Sequence, residues 1–308
     1  MWCNTRMFKE YSCPQCQGAA RLFDPGTLAP HQFFSPANNY MIAAGDSRQR
    51  LPIYICTTCG HGFTPLDVDP ATIVTWYQNN LPDQAYLTDE PARRRTARAV
   101  LRRLESLMAG QTGRLLDVGA GPGIFVSQAS RHGWNATGLE PSTWAVRHGR
   151  RVYKADMIQG DFGQLATLPT QAYDVVTMFD VIEHVAEPHT LAAAAAQRLR
   201  PGGLLVLTTP RFDSLLARVM GRQWYCIFPA HIHYFTKHSL QSLLEATGFE
   251  RMRYRTHTRY VSAHYFWQRL KTFFLSSPMT PGLNSRPSTS IPINFRDEFE
   301  LYARKRRR

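Results

Sequence analysis

The most regular apolar rhythm in this chain begins at Leu115-Leu116-Asp117-Val118, a short run that breaks into glycines at every second position: Gly119, Gly121 and Gly123. From there short continuous apolar runs alternate with stretches of 3.6-residue periodicity. The runs at 115–118, 136–140, near 157–159, 173–179 and 204–210 predict strands, and 123–132, 190–199 and 237–247 predict helices. Further strands fall near 251–256 and at 295–304. Strands that are apolar throughout and separated by helices belong to a sheet covered on both faces, so an α/β architecture with a parallel sheet is expected.

Upstream the rhythm changes. Residues 91–108 place Ala97, Val100, Leu101, Leu104 and Leu107 on one helical face, with Arg93, Arg94, Arg95, Arg98, Arg102 and Arg103 on the rest. Pro91 suits a first helical turn, and Gly110 and Gly113 end the helix. Such a helix reads as a cover for the edge of the next domain, with its basic face in solvent. Residues 70–87 predict a short helix and a loop. Further upstream, Ile53-Tyr54-Ile55 and Phe63 predict short strands, whereas 21–51, punctuated by Pro25, Gly26, Pro30, Pro36 and Gly45, reads as an irregular insert. The expected domains are 1–66, a helical linker at 67–112, and 113–308, the last containing an aromatic-rich insert at 259–292 and a final strand at 295–304.

Two segments carry chemistry at first sight. The glycines after Val118 allow positive φ and a close approach of ligand to backbone. A dinucleotide fingerprint needs a third glycine where Ile124 stands, so the spacing is G-x-G-x-G instead. Glu140 lies about 20 residues further on, at the end of the next predicted strand, where an acid can bind a ribose diol. The second segment is the pair of knuckles Cys13-Pro14-Gln15-Cys16 and Cys56-Thr57-Thr58-Cys59. Each puts two thiolates on a tight turn, and together they supply the four sulfurs of a tetrahedral zinc site, although the knuckles lie further apart than usual. His31 and His61 are further potential ligands, but the four cysteines already fill the coordination shell. Cys3 and Cys226 have no partner pattern.

The bulk composition narrows the setting. A chain of 308 residues that is 44% hydrophobic supports a sizeable core, and its net charge of +13 favours acidic partners, from nucleic acid to phosphorylated small molecules. The dense basic clusters are Arg93-Arg94-Arg95 and the tail 304–308, expected to be a solvated, frayed end. The first residues contain no apolar stretch of the kind a secretory signal needs, and no run is long enough to span a bilayer, so a cytoplasmic protein is expected, with cysteines as metal ligands rather than disulfides. Residues 261–276, with Tyr265, Phe266, Trp267, Phe273 and Phe274, predict core or a lid, or alternatively a peripheral membrane contact.

Taken together, the glycine loop, Glu140, Gly160-Asp161-Phe162, Phe179-Asp180-Val181-Ile182-Glu183-His184-Val185 and Leu199-Arg200-Pro201-Gly202-Gly203 resemble, in order and spacing, the class I S-adenosylmethionine (SAM) dependent methyltransferases. The resemblance covers roughly 113–258 and is to the branch containing the ubiquinone-biosynthesis O-methyltransferases. The four-cysteine segment resembles the N-terminal zinc ribbon of bacterial sugar and polysaccharide-cluster methyltransferases. The resemblance implies a Rossmann-like sheet of seven strands with the last antiparallel. It implies SAM as cofactor, with Asp117, Gly119, Gly121 and Gly123 at its methionine end, Glu140 at the ribose, Asp161 and Phe162 beside the adenine, and Phe179 and Asp180 along the methionyl side. It places His231 and His233 over the acceptor pocket. With His184 they are the candidates for a general base, because imidazole titrates near neutral pH; Glu183 could pair with a histidine or a metal.

Methyl transfer to a sugar, a lipid-linked or an aromatic small molecule, at oxygen, is the leading expectation. An RNA methyltransferase using the ribbon and the basic surface is the alternative, although the chain lacks the Asn/Asp-Pro-Pro-Tyr/Phe and Pro-Cys signatures of base methylation after the strand at 173–179. A non-catalytic binding module on the same scaffold is the third.

Overall fold

The computed structural model describes residues 10–35, 49–79, 89–267, 271 and 289–307. Cys3, Pro36, Gly45, Phe273 and Phe274 lie outside them, as do most of the insert at 259–292 and the end of the segment at 70–87.

The apolar runs around the glycine loop become the sheet they predict. Strands β4 (Arg114–Val118), β5 (Asn135–Glu140), β6 (Asp156–Gln159), β7 (Tyr173–Phe179), β8 (Leu199–Pro210), β10 (Phe249–Thr256) and β13 (Glu298–Lys305) lie side by side in the order β10-β13-β8-β7-β4-β5-β6. β4, β5, β6, β7 and β8 pair in parallel, and β13 runs antiparallel to both β8 and β10. This is the expected seven-stranded sheet with its last strand reversed. Val175 and Val176 of β7 and Leu205, Val206 and Leu207 of β8 are fully buried, because helices cover both faces. Those helices are α4 (Ile124–Arg131), α5 (Thr143–His148), α6 (Phe162–Thr167), α7 (Pro188–Arg198) and α9 (Lys237–Ala246); a short helix, α8 (Leu215–Met220), lies between β8 and α9.

The arginine-rich segment is one helix, α3 (Glu90–Leu107), whose buried face is Ala97, Val100, Leu101 and Leu104. These join one apolar cluster with Leu115, Phe125 and Val206, so α3 covers the sheet as expected. Its charged face is only partly a solvent surface. Arg103 grips the buried Glu300 of β13 through Nε and Nη2 at 2.5 and 2.6 Å.

The cysteine segment departs from expectation. Within 21–51 the chain forms β1 (Ala20–Asp24) and a short helix α1 (Pro30–Phe33), and Phe33 and Phe34 are buried. β1 pairs with β2 (Ile53–Cys56), which pairs with β3 (Gly62–Phe63). Pro25, Gly26 and Pro30, which suggested irregularity, sit just after β1 and at the start of α1. The fourth strand of this small sheet is β9 (His233–Tyr234), with Gly62 opposite Tyr234 and Phe63 opposite His233. The cysteine segment is therefore hydrogen-bonded directly into the loop that follows β8. Helix α2 (Pro70–Asn79) packs Ile73 and Trp76 against Ala230 and Ile232 of that same loop.

Over residues 304–306 the basic tail is not frayed. Arg304 donates to the carbonyls of Gly202 and Leu107, Lys305 to that of Leu199, and Arg306 to that of Glu245. Two of these carbonyls lie at the ends of α3 and α9, where unpaired C=O groups attract cations. Arg259 and Ser262 bound a short strand β11, which pairs with β12 (Ser290–Ile293). Trp267 beyond it is 63% exposed.

Candidate active site

The glycine loop joins β4 to α4 with φ of +70° at Gly119, +51° at Gly121 and +78° at Gly123, the left-handed region that L side chains avoid. At Gly119 a Cβ would lie 2.5 Å from Val181 Cγ2, and at Gly123 it would lie 2.8 Å from Met157 Sδ. These two glycines are thus fixed by packing as well as by conformation. Glu140 ends β5, 8% exposed. Its Oε2 accepts from the Gly121 N–H at 2.8 Å and its Oε1 from the Ser142 N–H at 2.9 Å. It therefore braces the loop, and burial raises its pKa although both amides oppose the shift. Asp117, one strand over and 3% exposed, accepts from Thr177 Oγ1 at 2.6 Å. Burial pushes its carboxyl up to about 7 against the pull of that hydroxyl, and the charge of Glu140 adds to the rise. Two acids and three left-handed glycines thus converge at the C-terminal ends of β4 and β5, where ligands bind in open α/β sheets.

Asp161 caps α6, accepting from the amides of Gly163 and Gln164, and Phe162 packs on the core from the first turn. At the end of β7, Phe179 meets Phe125 edge to face at 4.7 Å. Asp180 adopts φ +55° and accepts from Thr208 Oγ1 at 2.8 Å and from Arg259 Nη2 at 2.7 Å. Burial works against its ionised form, but the Arg259 guanidinium overrides this and holds the carboxyl below the ordinary range. Arg259 also binds Glu298, so its charge is shared between two acids.

The histidines divide into two groups. His184 and His231 face each other, ring centroids 4.7 Å apart, beside Glu183. His184 Nδ1 lies 2.8 Å from the Ala230 carbonyl and 2.9 Å from the Tyr77 hydroxyl, and His231 Nδ1 lies 2.8 Å from the Cys226 carbonyl. Burial lowers the pKa of both rings. His233 is not in this group. It sits in β9 with its Nδ1 3.0 Å from His61 Nε2, and burial lowers its pKa to about 4. Its position is that of a strut between the cysteine segment and the loop. Tyr77 and Arg259 carried no motif in the sequence; their partners His184 and Asp180 lie 107 and 79 residues away along the chain.

Cys13, Cys16, Cys56 and Cys59 bring their sulfurs within 4.8 Å of one another. Cys13 and Cys59 Sγ are 3.7 Å apart and Cys16 and Cys56 Sγ 3.5 Å, close to the edge of a tetrahedron built on metal–sulfur bonds of about 2.3 Å. The amides of Gln15, Thr58 and Cys59 approach sulfurs at 3.4 Å, as amides do around thiolates. The cluster fits a zinc ribbon. His31 pairs with Asp67 and His61 with His233, so neither joins the sulfurs.

Residues 89–253 match the model of a methyltransferase domain family. That match covers more than half the chain, and the chain belongs to this family; the class defined by fold and site is the SAM-dependent methyltransferases. Among curated proteins, the ubiquinone biosynthesis O-methyltransferase of Cronobacter sakazakii is 36% identical over 118 residues, 36% of this chain and 49% of that protein. The protein of the same name from Maricaulis maris is 30% identical over 118 residues, covering 36% and 46%. The chain thus spans about half the length of the curated relatives it matches. A SAM-dependent methyltransferase structure from Archaeoglobus fulgidus shares the fold with a TM-score of 0.50 and 19% identity, over 72% of this chain and 100% of that one.

Proposed function

We propose that the chain transfers the methyl group of SAM to a hydroxyl oxygen of a small-molecule acceptor. The observation that carries this reading is the pairing of a glycine loop braced by Glu140 with a buried Glu183–His184–His231 cluster at the end of the neighbouring strand β7. SAM supplies an electrophilic methyl on a sulfonium. Gly119, Gly121 and Gly123 are assigned to its methionine end with Asp117 beneath them, Glu140 to its ribose hydroxyls, Asp161 and Phe162 to the adenine, and Phe179 and Asp180 to the methionyl side. Glu140 already accepts two amide N–H groups, so a ribose diol would share or replace the Gly121 bond.

An acceptor hydroxyl must lose its proton as it attacks in line, and the site must keep water out while this happens. His231 and His184 are held neutral by burial, with Nδ1 committed to backbone carbonyls, which leaves Nε2 of each to receive a proton. The O-methyltransferase relatives support oxygen as the acceptor atom. The four-cysteine cluster is assigned a structural Zn²⁺, which would hold the small sheet that carries His233.

The test is transfer of labelled methyl from SAM to a panel of catechols, sugar nucleotides and total RNA. Label in small molecules as base-stable methyl ethers is expected. Label confined to RNA, or none from a protein that binds SAM, would contradict this function.

A further inference from the structure

Glu183 presents an unusual balance. It is 1% exposed; Oε2 accepts from Thr209 Oγ1 at 3.0 Å, while Oε1 finds no hydrogen-bond partner among the described residues. Arg259, the cation of this region, binds Asp180 and Glu298 instead. Among the described residues the group nearest in charge is His231, whose Nε2 lies 3.9 Å from Glu183 Oε1. That is too long for a hydrogen bond, so the two are not a relay pair as they stand. An unpaired buried carboxylate is costly, and some cation must balance it when it is ionised.

The surrounding donors are arranged for a metal. One ring nitrogen each of His184 and His231 and one oxygen of Glu183 lie within 4.8 Å of one another. One atom of each ligand is already held: His184 Nδ1 by the Ala230 carbonyl, His231 Nδ1 by the Cys226 carbonyl, and Glu183 Oε2 by Thr209. Metal-binding histidines are held in this way, with the second nitrogen fixed by a carbonyl so that the first is presented as a lone pair. Donors at about 2.0–2.2 Å from one ion sit roughly 3–3.5 Å apart, so the cluster needs to contract by well under an ångström at the measured Glu183–His231 pair.

We propose that Glu183, His184 and His231 bind a divalent transition-metal ion, separate from the four-cysteine cluster, with coordination positions left open to an acceptor oxygen. Two imidazoles and one carboxylate suit Zn²⁺, Fe²⁺ or Co²⁺ better than Mg²⁺ or Ca²⁺. A dication there pairs with the Glu183 carboxylate that Arg259 does not reach. While it is bound, the ring nitrogens of His184 and His231 are its ligands rather than proton acceptors, the ion itself then favouring the ionised form of an acceptor hydroxyl. The assignment of the open positions to acceptor rests on the methyltransferase reading above; the metal site itself does not.

The test is the metal content of the full chain after reconstitution with Zn²⁺ and removal of excess by gel filtration, for wild type, Glu183→Gln and His231→Ala. Binding of S-adenosylhomocysteine to each serves as the check on folding. Two metals per wild-type chain and one in each variant, with cofactor-product binding retained, is the expected result. Co²⁺ should report the same difference, the variants keeping the thiolate charge-transfer band of the cysteine cluster and losing the weaker visible bands of the nitrogen–oxygen site. One metal per wild-type chain, or an unchanged count in both variants, would overturn the proposal. Methyl transfer that persists in that case would leave the methyltransferase reading intact, whereas two metals without cofactor-product binding would sink that reading and not the site. Should Glu183→Gln and His231→Ala both fail to fold, wild type titrated with Co²⁺ decides alone: thiolate bands only would overturn it.

Discussion

His61 Nε2 lies 3.0 Å from His233 Nδ1, both rings buried, and this contact joins the turn after the second cysteine knuckle to the loop that carries His231. It is reinforced by the pairing of Phe63 with His233, by Thr64 N–H on the Ile232 carbonyl and by Thr236 Oγ1 on the Cys59 carbonyl. The cysteine segment thus buttresses the loop that carries His231, which the proposed function places on the acceptor side. His61→Phe should keep the stacking on Phe63 and Phe235 and lose the contact with His233. Affinity for S-adenosylhomocysteine should then stay within about twofold while acceptor turnover drops about tenfold (about 1.4 kcal/mol). Calorimetry and a methyl-transfer assay on the same preparation check this; unchanged turnover would show that the loop holds its shape alone.

Gly119 tests how tightly the glycine loop is packed on the segment after β7. Gly119→Ala places a Cβ against Val181 at a backbone conformation with φ +70°, and overpacking of this kind costs roughly 1–3 kcal/mol. Adding Val181→Ala should recover the steric part and not the conformational part. Urea midpoints of the two single variants and the double variant measure the coupling; strict additivity would mean the loop moves away from Val181 instead.

Glu300 is a second buried acid with the opposite electrostatics to Asp117. Burial raises its pKa, but the hydrogen bonds from His257, Arg103 and Tyr302 outweigh this and bring it down to about 2. Glu300→Ala leaves Arg103 and His257 without their anion, and breaking such a pair costs about 3–5 kcal/mol. Arg200→Ala, which removes a largely exposed partner of Asp174, should cost less than about 1 kcal/mol. Thermal unfolding of both variants separates the two cases; similar shifts in Tm would contradict the clamp between α3 and β13.

Asp117 sets a pH dependence. Unfolded, its carboxyl titrates near 3.9, and folded near 7, so between about pH 4 and pH 7 the native state holds a proton that the unfolded chain has lost. Its contribution to stability therefore falls as pH rises through that window. Glu140, Glu183 and Glu298, also raised by burial, act in the same direction. Glu300 acts oppositely, but its effect is lost only as pH falls from about 4.5 toward 2. His61, His184, His231 and His233, lowered by burial, act oppositely below about pH 6.5. The Asp117 effect is therefore read as a difference in urea unfolding: Asp117→Asn, whose amide oxygen can still accept from Thr177, should lose about 1–3 kcal/mol less stability than wild type between pH 5 and pH 8. Equal slopes in wild type and variant would contradict the raised pKa.

What the sequence disclosed follows from how local each signal is. β7 falls on the residues its apolar run predicts, and the glycine loop, Glu140 and the two knuckles are visible because their spacing is set by single turns. The sulfur cluster needs only its two turns to meet. β1 was hidden because Pro25, Gly26 and Pro30 follow it closely, and β9 because a two-residue strand has no period to read. The basic tail looked solvated because nothing in a run of arginines announces the helix-end carbonyls of Leu107 and Glu245. Tyr77, Arg259 and the unmatched Oε1 of Glu183 depend on partners far along the chain, and only the folded arrangement brings them to the site.

The most direct measurement is calorimetric titration of S-adenosylhomocysteine into wild type and Glu140→Ala. Micromolar binding by wild type, weakened at least about tenfold in the variant (about 1.4 kcal/mol), is the predicted result. A folded wild type that releases no heat and binds nothing would contradict assignment of the cofactor to the glycine loop and Glu140.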